Sequence, residues 1–121
     1  MAALNIAFEA PENAKAMCPS STRPIDLVHL AKQTMGDKAL EIEVLQIFAR
    51  QARTCLSELG APGAQVNLIA HRLKGAASAV GAHEIASLAT RLEETPDDSA
   101  LVAAAGVAII AAENFILKLC R

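Results

Sequence analysis

The sequence has no tryptophan, no tyrosine and only three phenylalanines (Phe8, Phe48 and Phe115) in 121 residues. Hydrophobic residues still make up 53% of it, so any core must be built from aliphatic side chains and alanine. Charge of one sign is also missing: 11 Lys and Arg against 13 Asp and Glu leave a net charge of −2. That balance offers no basic field to a phosphate backbone and argues against nucleic acid as the main ligand. Cysteine is scarce, and Cys18, Cys55 and Cys120 are odd in number and lack the spacing of metal ligands. They read as reduced thiols in a cytoplasmic protein, with no metal expected. No basic segment precedes a long apolar run at the N-terminus, so no secretory signal is expected. The longest apolar stretch, residues 100–112, is broken only by Gly106 and ends at Glu113. A bilayer span takes about 20 residues, so this stretch predicts a buried core helix and no membrane insertion. Nor is there a glycine-rich phosphate loop, which leaves an autonomous kinase without a nucleotide site.

What is present is helical periodicity. A chain of this length is one domain by the usual prior. Residues 1–24 hold Pro11, Pro19 and Pro24 among Asn13, Ser20, Ser21 and Thr22, a helix-breaking composition that predicts an irregular tail. Within it Leu4, Ile6 and Phe8 alternate with smaller residues, as an extended arm would. The domain proper is expected over 25–121. Asp26 is a cap candidate for a short helix that places Leu27, Leu30 and Ala31 on one side and ends at Gly36. Asp37 can cap a long second helix with Leu40, Val44, Phe48, Ala52, Cys55 and Leu59 inward. Glu41, Glu43, Arg50, Arg53 and Glu58 fall mainly on its wet side, and Gly60 and Pro62 stop it. A central helix is predicted from Gly63 or Ala64 to Gly81. Another follows from His83 or Glu84 to before Pro96, with Ile85, Leu88, Ala89 and Leu92 inward. Asp97 or Asp98 can cap the last, where Leu101, Ala105, Ala108, Ala112, Phe115 and Leu119 repeat at steps of four and three, widened by Val102, Ile109 and Ile116. No segment has a strand pattern. Short connections predict antiparallel neighbours, hence an all-α fold: an antiparallel four-helix bundle with an additional short N-terminal helix.

The central helix carries two incompatible faces. At about 100° per residue, Ile69, Leu73, Ala76 and Val80 form a core stripe, whereas His71, Lys74, Gly75 and Ser78 share the opposite arc. That second arc sets a nucleophile and a cation one turn apart, beside a glycine that costs a helix interior roughly 1 kcal/mol relative to alanine. A neutral imidazole offers a nucleophilic nitrogen near physiological pH. Lys74 can meet incoming negative charge, Gly75 removes a side chain beside His71, and Ser78 adds a hydroxyl along the same face.

His71, Leu73, Lys74, Gly75, Ser78 and Gly81, continued by Leu88, Leu92 and Glu93, stand at the spacing of the signature of histidine-containing phosphotransfer (HPt) domains, and the chain resembles that family. The likeness is specific at this motif and extends as a hydrophobic pattern over roughly residues 25–120. One departure stands out: many members have a serine directly after the glycine, where this chain has Ala76 and Ala77. The resemblance implies a helical bundle that takes a phosphoryl group on His71 from one receiver-domain aspartate and passes it to another. Response-regulator receiver domains and a hybrid sensor kinase would be the partners. It implies no resident cofactor, the Mg2+ belonging to the partner receiver, and no ATP-binding machinery. Asn67, Leu68 and Arg72 would lie at the docking margin, and a monomer is expected. Glu93 can accept a hydrogen bond from His71 Nδ1 and so present Nε2, the alternative being a solvated carboxylate. His29 and His83 read as ordinary surface or boundary residues. The competing class is a helical adaptor that binds signalling partners without being phosphorylated; it would not need Lys74 and Gly75 beside His71.

Overall fold

Asp26 starts the first helix, α1 (Leu27–Gln33), by accepting from the backbone N–H groups of Val28 and His29 at 3.1 Å each. The computed structural model describes residues 23–120, and within them there are five helices and no strand. The predicted irregular tail, the arm at Leu4, Ile6 and Phe8, and Cys18 lie outside the described residues. α1 stops at Gln33, earlier than Gly36, because Met35 and Gly36 both take left-handed φ values (54° and 77°). Asp37 caps α2 (Lys38–Leu59) through the Leu40 N–H. α3 (Val66–Val80) begins later than Gly63 or Ala64, since Gly63 is itself left-handed at φ 73°. After α4 (His83–Glu94), Asp98 caps α5 (Ser99–Leu119) through the Ala100 and Leu101 N–H groups.

Contacts run from α2 to α3, α3 to α4, α4 to α5 and α5 back to α2, so the four long helices close a ring with α3 diagonally opposite α5. Consecutive helices that pack side by side after such short connections run antiparallel. α1 lies against α3. The core is aliphatic around one fully buried aromatic, Phe48, with Leu30, Leu73, Ile85, Leu92 and Ile109 beside it.

Gly81 explains how α1 is held. It ends α3 at φ 80°, with the Ala82 N–H donating to Ala77 O at 2.8 Å, which is the six-to-one bond of a Schellman turn. Its carbonyl accepts from the Asp26 N–H at 2.9 Å. A Cβ here would stand 3.0 Å from both the Asp26 Cβ and the Asp26 carbonyl oxygen.

Three predicted core stripes need correction. In α2, Leu40 is exposed and Val44 only half-buried, while Leu45 and Glu41 face inward with Phe48, Ala52, Cys55 and Leu59. Repeated steps of four drift about 40° each, so the true stripe alternates four and three. Glu41 is therefore not on the wet side; it is 8% exposed and is met by the Thr34 hydroxyl at 3.4 Å and Lys38 Nζ at 3.5 Å. In α3 it is Ala77, with Ala70, that is fully buried, and not Ala76, which is half-buried. In α5, Ile109 and Ile116 are buried, whereas Phe115 is half-buried and Leu119 exposed at the open end of the bundle beside Leu27, Lys38 and Ile42. α5 is long and apolar enough to cross a membrane by length and composition, yet its Leu101, Ala105, Ile109, Ala112 side is packed in the bundle.

Candidate functional site

α3 faces two ways because its apolar and polar residues alternate at helical period. Ile69, Leu73, Ala77 and Val80 anchor it in the core, which forces His71, Gly75 and Ser78 outward, with Lys74 at the edge. His71 keeps 69% of its side chain exposed. α4 runs back alongside after the two-residue Gly81–Ala82 connection, and its Leu88, Ala89 and Leu92 stripe is buried against the bundle. Burial of Leu92 puts the next residue, Glu93, at the α3–α4 seam.

There Glu93 engages both candidate residues of α3. His71 Nδ1 lies 2.9 Å from Glu93 Oε2, and Lys74 Nζ lies 2.6 Å from Oε1. Oε1 is shut off from solvent and makes no well-aligned hydrogen bond, so the ammonium is what compensates it. The Lys74 contact first, and the His71 contact second, hold the Glu93 carboxyl below its usual range. An ionised carboxylate can only accept, so Nδ1 carries the ring proton and Nε2 of the neutral ring keeps its lone pair. The result is a charge-compensated triad around a histidine side chain that stays 69% exposed.

A Cβ built on Gly75 would meet nothing within 4 Å. No neighbouring helix of the bundle approaches that position. Ser78 is exposed further along the same face. Asn67 and Leu68 are exposed one turn before His71, Leu68 at 56%. Arg72 is exposed too, but it is tied back by an ion pair to Glu58 of α2. Beside it a groove of about 440 Å3 runs between α2 and α3, lined by Ile47, Arg50, Thr54 and Ala76 among others. Among the described residues no three His, Cys, Asp or Glu side chains converge as a metal site would require.

Two arrangements are not apparent from the sequence. His83 pairs with Asp26 (Nε2 to Oδ2, 3.0 Å), and the His29 ring meets the His83 ring edge-on with centroids 5.9 Å apart. Neither histidine is solitary, and the His83 contact lowers the Asp26 carboxyl. Their link is tertiary: Asp26 and His83 are 57 residues apart. The burial of Glu41 has the same origin, since the Thr34 hydroxyl that meets it comes from the turn after α1.

The model of the Hpt domain family matches residues 43–114, from within α2 to within α5, and spans the whole His71, Lys74, Glu93 arrangement. The chain belongs to the Hpt domain family, whose members are phosphocarriers rather than kinases and interact with receiver domains of phosphorelay proteins. That membership gives it a histidine phosphotransfer role in a phosphorelay. Neither the curated proteins nor the solved structures yielded a match to the chain.

Proposed function

We propose that His71 is the phosphoryl carrier, taking the group from one receiver-domain aspartyl phosphate and handing it to another. The observation that carries this reading is the Glu93 contact to Nδ1 at 2.9 Å on a ring that stays 69% exposed. Nε2 attacks the phosphorus of the acyl phosphate, an N–P bond forms, the P–O bond to the aspartate breaks, and the carboxylate leaves with the electron pair. The ring then bears substituents on both nitrogens and gains positive charge, which the Glu93 carboxylate offsets. Lys74 stands one turn from His71 and can turn its ammonium from Glu93 toward the phosphoryl oxygens. The reverse transfer uses the same atoms. The divalent cation comes with the receiver, where charge on the transferring group is otherwise neutralised.

The open space at Gly75 supports an access role: a receiver aspartate can come close to Nε2 because nothing projects beside it. Asn67, Leu68 and Arg72 would border the docked partner and Ser78 would lie under it. The first donor in this reading is the receiver of a hybrid sensor kinase, in the cytoplasm, where Cys55 and Cys120 stay reduced as the free thiols they are here.

Incubation with a phosphorylated receiver tests this directly. Intact mass should rise by one phosphoryl group, and ATP alone should add nothing. His71→Gln should abolish labelling while shifting stability by no more than about 0.5 kcal/mol, as befits an exposed position. An unlabelled wild-type chain that still binds the receiver would leave the adaptor reading standing instead.

A further inference from the structure

Nε2 of His71 has a direction as well as a lone pair. Glu93 reaches the ring from α4, so Nδ1 is turned toward that helix. The two nitrogens of an imidazole face nearly opposite ways in the ring plane, which turns Nε2 away from α4. At about 100° per residue, the order around α3 from the α4 side to the α2 side is Lys74, His71, Gly75, Leu68, Arg72 and Ala76. Nε2 therefore opens over Gly75, toward the flank that α3 shares with α2. In-line transfer sets the attacking nitrogen, the phosphorus and the leaving oxygen close to one line, so the aspartate arrives from that flank and not over Glu93.

The two flanks differ. On α4 the exposed residues nearest Glu93 in sequence, Thr90, Arg91 and Glu94, are polar. Between α2 and α3 the groove of about 440 Å3 carries Ile47, 46% exposed, and a second groove of about 380 Å3 continues it to Leu68, 56% exposed. Arg72 lines both, and its ion pair to Glu58 crosses between them. The two partners stay open to solvent, with side chains 58% and 43% exposed. A pair as open as this is worth little net, so Arg72 changes partner at small cost.

We propose that a receiver domain seats over this α2–α3 flank and that Arg72 selects it, leaving Glu58 for a carboxylate of the receiver while Ile47 packs under one of its apolar side chains. The inference rests on His71 being the carrier, and adds the flank and the residues that discriminate between receivers. The occupant follows from what must reach His71. Members of this family interact with receiver domains. A specific interface takes about 800 Å2 from each partner, far more than the exposed strip of one helix, so it has to spread over one flank. The in-line approach picks the grooved one. Charge points the same way, because the receiver holds its divalent cation with oxygen ligands beside the reacting aspartate, which makes that face acidic. A guanidinium takes a carboxylate best in two parallel bonds, whereas Glu58 engages Arg72 through one oxygen only. A receiver with no acid at this point leaves Arg72 on Glu58 and loses that contact.

The test takes the full chain and a receiver domain that labels His71, and reads KM and kcat of transfer separately. Arg72→Gln should raise KM about tenfold at unchanged kcat, through loss of one charge-assisted contact. Glu58→Gln should lower KM by up to about fivefold, because Arg72 no longer has a partner to leave. The double variant should match Arg72→Gln alone. A pair that only braces α2 against α3 would move both single variants the same way, and a Glu58→Gln gain that persists without Arg72 would be general charge; either result overturns the proposal. Ile47→Glu buries a carboxylate under the partner and should raise KM at least as much as Arg72→Gln, whereas Thr90→Glu, exposed on the α4 flank, should not. Equal losses at positions 47 and 90 would also overturn it. Melting temperatures should stay near that of the wild type throughout. A wild-type chain that takes no phosphoryl group from any receiver it binds would sink the carrier reading and this proposal with it. Normal transfer that neither Arg72→Gln nor Ile47→Glu weakens would overturn this proposal alone.

Discussion

Lys74 and His71 share one carboxylate: Glu93 gives Oε1 to the ammonium at 2.6 Å and Oε2 to the imidazole at 2.9 Å. If Glu93 fixes which ring nitrogen is nucleophilic, Glu93→Gln should preserve much of the function, because an amide oxygen still accepts from Nδ1–H. Glu93→Ala should slow transfer from a phosphorylated receiver by about tenfold, roughly 1.4 kcal/mol in the barrier. Ring nitrogen NMR of the Ala variant should show the proton redistributed toward Nε2. Identical tautomer populations in wild type and Glu93→Ala would remove Glu93 from the mechanism.

Gly75 separates access from packing. Since a Cβ there meets nothing within 4 Å, Gly75→Gln should melt at the same temperature or slightly higher, gaining up to about 1 kcal/mol of helix propensity. Receiver-to-His71 transfer should fall severely, while phosphoramidate still labels the histidine. A variant that melts early and transfers normally would contradict the access role.

Gly81 should be intolerant for the opposite reason. Gly81→Ala forces a left-handed φ of 80° on a residue with a Cβ, costing about 1 to 2 kcal/mol, and drives that Cβ to 3.0 Å from Asp26. Thermal denaturation should show a loss larger than the conformational cost alone. Chemical shifts of α1 should move with it.

Acid should loosen the same joint. The Asp26 carboxyl is held low first by the His83 hydrogen bond and then by the His29 N–H. A carboxylate with a depressed folded pKa adds stability above its unfolded value, and that contribution disappears as pH falls through the folded one. Asp26→Asn keeps an N-cap acceptor but cannot ionise. Its deficit in melting temperature against wild type should be present at about pH 7 and shrink as pH falls below about 4; a deficit constant over that range would rule the Asp26 carboxylate out as its source.

The sequence made the helices legible because caps and breakers sit at their ends: Asp26, Asp37 and Asp98 all accept the N–H groups expected of them. It made the two faces of α3 legible for the same periodic reason. What it misjudged was rotation about a helix axis by a residue or so. Ala77 replaces Ala76, and Leu45 and Glu41 replace Val44 and Leu40, because which neighbour a residue meets is fixed by packing and not by the wheel. The Asp26–His83 pair was invisible, since no local pattern links residues 57 positions apart. Glu93 lay between these cases: the motif pointed to it, but only the register of α4 against α3 puts its carboxylate within 2.9 Å of the imidazole.

That register has a kinetic and evolutionary side. His71 and Glu93 are 22 residues apart on a single hairpin of helices whose turn is closed by its own backbone bonds. Little chain has to be looped to bring them together, so the hairpin is expected to assemble early and to open late. The ends of the domain can therefore fray, be extended or be fused to other segments while the imidazole remains aimed, which makes the chemistry portable: the hairpin is the unit to be inherited, and the remaining helices are free to specialise in what they bind.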